Sequence, residues 1–113
     1  MDQYSPETRG LGEIASRVTS VLGSRILNQA IAFSELTIAV EAKDIVGIMQ
    51  TLRDDPELRF ISFVDICGVD WPQREKRFDV VYHLLSPTLN SRIRVRAEAD
   101  ETTQVPSIID VFP

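Results

Sequence analysis

The stretch from Phe78 to Ala99, FDVVYHLLSPTLNSRIRVRAEA, contains two segments of alternating side chains separated by a turn. In the second segment an arginine precedes each of Ile93, Val95 and Ala97. Because neighbouring side chains of a strand point to opposite faces, this spacing predicts a strand with one apolar face and one arginine face. The intervening SPTLN is rich in turn-forming residues. We therefore expect two adjoining antiparallel strands of one sheet.

Two helices are predicted on the N-terminal side of this stretch. Ser5 and Pro6 suit a helix start, helically spaced apolar residues continue to Leu22, and Gly23 suits a helix end. A second apolar stripe predicts a helix over residues 43–53. Between the helices, NQAIAFSELTIAVEA is typical of two short strands that meet around Phe33 and Ser34.

The segment LRFISFVDICGVDWP, residues 58–72, predicts a further strand. Its middle is apolar at both odd and even positions, which favours a central strand covered on both faces. A short helix is expected to begin at Pro106. Together these elements predict one α+β domain over residues 1–113. It has two layers, a mostly antiparallel sheet of about five strands with helices packed on one face.

Composition excludes several classes of protein. The 113 residues are 43% hydrophobic and 26% charged, which is typical of one globular domain. A net charge of −5 and a pI of about 4.8 argue against a free-standing nucleic-acid-binding protein. The single cysteine favours a reducing, intracellular location and cannot build a zinc or iron–sulfur site alone. The polar N-terminus does not resemble a signal peptide, and no run of residues is long and apolar enough to span a membrane.

The chemistry-bearing residues allow two interpretations. Cys67 and His83 lie on strands expected to be neighbours, so a nucleophile–base pair is one hypothesis. A lone histidine among apolar neighbours is more often a packed structural residue, and we favour that interpretation. Asp65 and Asp70 flank ICGV. Asp70 suits a turn or cap role, whereas the role of Asp65 stays open.

The arginines at alternate positions, Arg92, Arg94 and Arg96, are expected to emerge from one face of their strand. This row is either a solvated surface or a docking site for an acidic partner, a role that suits the planar guanidinium. A nucleic-acid platform would add stacking aromatics, which this strand lacks. Trp71, in a predicted turn, either closes the core or forms an exposed contact.

The second half of the chain resembles the C subunit of the proton-pumping NADH–quinone oxidoreductase, which belongs to the peripheral arm of respiratory complex I. The resemblance is dense from Asp65 to Pro113 and looser before it. It rests on an aspartate-proline turn with a basic residue, the run RFDVVYHLLS, a turn containing Asn90, the run RIRV, and the later VPSIIDVFP. The family often has tyrosine where this chain has Trp71. The family's signature region beyond this point is absent, so the chain is expected to be its N-terminal domain.

The resemblance implies a non-catalytic structural and assembly role, with no catalytic, cofactor-binding or metal-binding residues in this chain. The parent complex would pass electrons from NADH through FMN and iron–sulfur clusters in other subunits to quinone. The implied partners are other peripheral-arm subunits, especially the neighbour at the quinone site. The implied location is peripheral, on the cytoplasmic side of the bacterial inner membrane or the matrix side of the mitochondrial one.

Six residues are predicted to form the interface: Arg92, Arg94, Arg96, Trp71, Arg74 and Arg77. Two alternatives stay open at this point. One is a small independent enzyme that uses Cys67 and His83. The other is a generic protein-interaction module.

Overall fold

The computed structural model describes residues 6–32, 35–75, 78–100, 105–109 and 111–112, with side chains from Gly10 onward. Its helices are α1, Pro6–Leu22, and α2, Ile45–Asp54. Its strands are β1, Ile26–Ala32; β2, Glu35–Glu41; β3, Ser62–Asp70; β4, Phe78–Ser86; and β5, Ser91–Ala99. Short 3₁₀ turns at Gly23–Arg25 and Ala42–Asp44 precede β1 and α2.

The five strands form one sheet in the order β1-β2-β5-β4-β3. Three of the four pairings are antiparallel, and β2 runs parallel to β5. The parallel pair is possible because α2, β3 and β4 lie between these strands in the chain and provide the crossover. The predicted α+β domain with a mostly antiparallel sheet is confirmed.

The hydrophobic core lies between the helices and one face of the sheet. Apolar residues of α1 and α2, such as Val18 and Ile48, share one buried cluster with Ile38, Tyr82 and Val95 of the three inner strands. Val95 lies beside Ile38 in one neighbouring strand and beside Tyr82 in the other. The core residues of these three strands therefore face the helices, and we call the opposite side of the sheet the open face.

The first helix ends where the sequence predicts. Gly23 follows α1 with a φ of 57°, a left-handed conformation that glycine adopts without steric cost. The second helix begins at Ile45 because the preceding residues form a 3₁₀ turn. The two helices are joined by Arg17 of α1, which donates two hydrogen bonds, of 3.1 and 2.7 Å, to the Asp55 carboxylate at the end of α2.

Two sequence predictions about local structure are wrong. The strand containing residues 62–70 is β3, and it lies at the edge of the sheet instead of its centre. Its apolar side chains on both sides are mostly exposed, whereas the pattern of apolar residues predicted burial. The predicted helix at Pro106 is absent from the described residues 105–109 and 111–112. The amides of Val111 and Phe112 bond to Ile108 in a single turn there.

Candidate functional site

A buried carboxylate organises one end of the open face. Asp79 of β4 is only 2% exposed and accepts hydrogen bonds from three side chains. The donors are the indole Nε1 of Trp71 at 3.0 Å, Nη2 of Arg74 at 2.6 Å and Nη1 of Arg96 at 3.2 Å. A buried charge is tolerated when opposite charges and hydrogen bonds compensate its lost hydration. Here two guanidiniums and an N–H surround the carboxylate.

Trp71 lies on the surface above this carboxylate. Its side chain is 46% exposed, and the guanidinium of Arg74 lies 5.5 Å from the centre of its ring. A cation at that distance from an indole ring is attracted by its π face. Of the two interpretations left open by the sequence, the exposed contact describes Trp71, which does not close the core.

Arg92, Arg94 and Arg96 emerge on the open face, as predicted, while the residues between them are buried in the core. Arg96 is held within the molecule because it pairs with Asp79 and with Glu98, the latter at 3.3 Å. Within the described part of the chain, Arg92 and Arg94 make no ion pair or side-chain hydrogen bond. Nε of Arg94 is buried without a hydrogen-bond partner, so the donors that β5 can offer a partner are the guanidinium of Arg92 and the terminal nitrogens of Arg94.

The six predicted interface residues thus fall into three groups. Arg96, Trp71 and Arg74 converge on Asp79, and Arg92 and Arg94 lie on the same face without a partner in the described structure. Arg77 lies outside the described residues. Sequence reasoning missed Asp79 as the centre of the group. The available signal was an acidic residue at an outward position of β4, in a strand expected to pair with the arginine strand.

His83 also lies on the open face, where its Nδ1 contacts the Asp65 carboxylate across the β3–β4 pair. Cys67 is exposed and lies opposite Val81, so it is a diagonal neighbour of His83. Among the described residues no hydrogen bond joins the Cys67 thiol to the imidazole. The nucleophile–base geometry is therefore not assembled, and His83 is a partly exposed residue paired with Asp65.

Asp70 ends β3 and makes a polar or electrostatic interaction there. The part of the chain that the structure describes contains no group of three or more histidine, cysteine or acidic residues positioned to bind a metal ion. Neither α1 nor α2 is long and apolar enough to cross a bilayer.

Residues 38–113 match the family described as "Respiratory-chain NADH dehydrogenase, 30 Kd subunit". Two similar proteins are each named as the C subunit of NADH-quinone oxidoreductase. The one from Methylobacterium radiotolerans is 59% identical over 100 residues, covering 88% of this chain and 46% of the relative. The one from Rhodopseudomonas palustris (strain BisB18) is 55% identical over 103 residues, covering 91% and 52%. The chain therefore spans about half the length of these relatives.

A solved structure has the same fold. It is titled "Structure of the membrane-bound sulfane sulfur reductase (MBS), an archaeal respiratory membrane complex", and one of its chains superposes with a TM-score of 0.71. The match covers 90% of this chain and 59% of that chain, at 22% identity. At that identity the likeness concerns the fold alone. The family match over residues 38–113, together with the two relatives, leads to one conclusion: the chain belongs to the family of the 30 Kd subunit of respiratory-chain NADH dehydrogenase.

Proposed function

We propose that the chain is a structural subunit of an NADH–quinone oxidoreductase and supplies a docking surface instead of a catalytic group. The observation that supports this proposal is its membership of the 30 Kd subunit family, with relatives more than half identical to it that are named as parts of that oxidoreductase. In this function, electrons pass from NADH through FMN and iron–sulfur clusters in other subunits to quinone. The chain binds none of these cofactors.

The proposed docking surface is the part of the open face that contains Arg92, Arg94 and Trp71. The guanidinium donors of Arg92 and Arg94 are free of described partners, and such groups bind carboxylates through two parallel hydrogen bonds. Trp71 adds an exposed apolar ring, a residue type enriched at binding hot spots. The proposed partner is therefore an acidic surface of a neighbouring peripheral-arm subunit, with the neighbour at the quinone site as the first candidate.

In this proposal Arg74 and Arg96 act indirectly. Both are bound to Asp79, which fixes the Trp71 ring and the end of β5 in place. The chain would reach the membrane only through the complex, on the cytoplasmic side in a bacterium or the matrix side in a mitochondrion.

The experiment replaces the chromosomal gene with the double variant Arg92→Gln/Arg94→Gln and measures two quantities in native membranes. These are the amount of the chain in the assembled complex, from native gels, and the NADH–quinone reductase activity. We expect both to fall together by about tenfold or more, because two charge-assisted contacts are lost. The purified variant should unfold at the same urea concentration as the wild type, since neither arginine is paired within the described structure.

A matched control removes two positive charges elsewhere. Lys43 is 72% exposed and Arg59 lies on the loop before β3, so Lys43→Gln/Arg59→Gln changes the net charge equally at residues outside the strands of the sheet. This control should assemble normally. Unchanged assembly of the Arg92→Gln/Arg94→Gln variant would refute the docking surface. A wild-type chain that never enters the oxidoreductase would refute the proposed function itself.

A further inference from the structure

Strand β3 has the composition of a central strand but lies at the edge of the sheet. Between Ile61 and Val69, the polar side chains are Ser62 and Asp65 alone. Four large apolar side chains there are 38–51% exposed: Ile61, Phe63, Val64 and Ile66. Runs that are apolar on both sides occur in strands covered on both faces. In the isolated chain this run has no such cover among the described residues.

The edge has only part of the usual protection against pairing. Exposed edge strands commonly have lysine, proline, other charged side chains or a bulge that discourages a new strand, and β3 lacks lysine and proline. In β3 a bulge interrupts the pairing with β4 between Phe63 and Asp65, but pairing is regular over the six residues from Asp65 to Asp70. Both charges in that segment are engaged within the chain: Asp65 is bound to His83 on the neighbouring strand, and Asp70 makes a polar or electrostatic interaction at the strand end. Six residues is an ordinary strand length.

The apolar surface continues from β3 onto the C-terminal segment. The ring of Phe112 packs against Phe63, with centroids 5.9 Å apart. Ile109 of the same segment is 65% exposed, more than any other large apolar side chain described. At the other end of β3, an open recess of about 400 Å³ is lined by residues that include Gly68, Phe78 and Val105. An added strand would therefore meet apolar surface near both ends of β3.

The kind of partner follows from these features. A helix laid on β3 would cover one of its faces and leave its backbone edge unpaired. An added strand pairs the backbone and places side chains beside both faces, which is the environment that the sequence of β3 suits. A second copy of this chain is disfavoured, because two molecules of net charge −5 repel each other and would bring their Asp65 residues to the same edge.

We infer that β3 accepts a sixth strand, an extended segment with alternating apolar residues from another polypeptide of the assembly. This inference rests on the proposed function, because it requires the chain to work beside other subunits. It adds a second contact surface to the arginine face. It also explains why an edge strand has the apolar composition of a central one, because β3 becomes a central strand once the assembly forms.

The test compares the same substitution on the two edge strands. Ile66→Lys places a charge on β3, and Ile31→Lys places it on β1, at residues that are 51% and 46% exposed in the described structure. Each variant replaces the protein in its native host, and its incorporation into the assembled oxidoreductase is measured on native gels. We expect Ile66→Lys to lower incorporation at least about tenfold, because a lysine would be buried without a partner. Ile31→Lys should stay within about twofold of the wild type.

Hydrogen exchange gives the second measurement. Alternate amides between Asp65 and Asp70 should exchange quickly in the isolated protein and become protected in the purified complex, because only a paired strand protects the backbone edge. Three results would overturn the inference: equal exchange of these amides in both states, equal incorporation of the two lysine variants, or a homodimer that Ile66→Lys dissociates. Failure of the wild type to assemble at all would instead refute the proposed function, and this inference with it.

Discussion

The carboxylate of Asp79 is shared by two guanidiniums and an indole N–H, although almost none of it reaches solvent. Arg96 and Arg74 are themselves 25% and 36% exposed, so water still reaches the cations. The site is therefore a compensated buried charge at the margin of the sheet. It fixes the position of Trp71. Its contribution to the free energy of unfolding depends on the negative charge of the carboxylate.

Replacing Asp79 with asparagine should destabilise the fold. The amide cannot neutralise two guanidiniums, and removing one partner of a buried ion pair leaves charge uncompensated. Because the arginines are partly exposed, we expect a loss of about 2–3 kcal/mol in the free energy of unfolding, at the lower end of the effect for buried pairs. Urea denaturation of the purified variant measures it.

The control for this substitution is Asp44→Asn, since Asp44 has no side-chain hydrogen bond or ion pair in the described structure. Its effect should stay below about 1 kcal/mol, the size of a helix-dipole contribution. A loss from Asp79→Asn no larger than that of the control would show that hydration, and not the carboxylate, compensates the two arginines.

The roles of individual residues were only partly predictable from the sequence. The period-two spacing was enough to place Arg92, Arg94 and Arg96 on one face. It could not separate Arg96, which is bound to Asp79, from the other two arginines, because that difference depends on the register between β4 and β5. Register is a property of the pairing and does not appear in the pattern of either strand alone.

At the scale of elements, the prediction succeeded where the pattern is local. β5 covers the SRIRVRAEA segment, and α1 ends before the glycine that suits a helix end. The position of β3 could not be predicted from its sequence. An apolar pattern indicates that a strand suits a buried environment, but it does not show which strands lie beside it. The parallel pairing of β2 with β5 was also missed, since residues distant in the chain determine it.

The ion pair between α1 and the end of α2 makes the stability of the fold depend on pH. The hydrogen bonds from Arg17 lower the pKa of Asp55 below its ordinary value, with burial acting in the opposite direction. A carboxylate with a lowered folded-state pKa stabilises the fold fully above its unfolded value, which is about 3.9. This contribution is lost as the pH falls through the lower, folded-state value.

We therefore expect Asp55→Asn to be less stable than the wild type at pH 6, with a difference that shrinks steadily below about pH 4. Urea denaturation at a series of pH values from about 6 to about 2 measures the two slopes across this titration. The exposed carboxylate of Glu13, on α1, provides the control Glu13→Gln, which removes an acidic side chain and leaves the pair between Arg17 and Asp55 in place. Parallel curves for Asp55→Asn and the wild type would mean that the pair contributes nothing to acid unfolding.

At the scale of the whole molecule, the two proposed contact surfaces differ in physical character. The arginine face depends on charge, within a chain whose net charge is −5, so its attraction is local and sensitive to screening. The β3 edge depends on apolar contact and backbone pairing, which added salt does not weaken by screening. Ionic strength therefore separates the contribution of one surface from that of the other.

Reconstitution measures this separation directly. Membranes from a host lacking the chain are mixed with purified protein, and the recovery of NADH–quinone reductase activity is followed at sodium chloride concentrations between about 0.05 and 0.5 M, over which the Debye length shortens several-fold. We expect recovery by the wild type to slow steeply with salt, because steering by Arg92 and Arg94 is screened. With the Arg92→Gln/Arg94→Gln variant, activity should recover slowly at every sodium chloride concentration, and the rate of recovery should depend much less on salt.

The Lys43→Gln/Arg59→Gln control should keep the wild-type dependence of this rate on salt. If the arginine variant instead kept that dependence, the charge that guides assembly would have to lie elsewhere on the chain, and the β3 edge would be the principal contact that this structure offers.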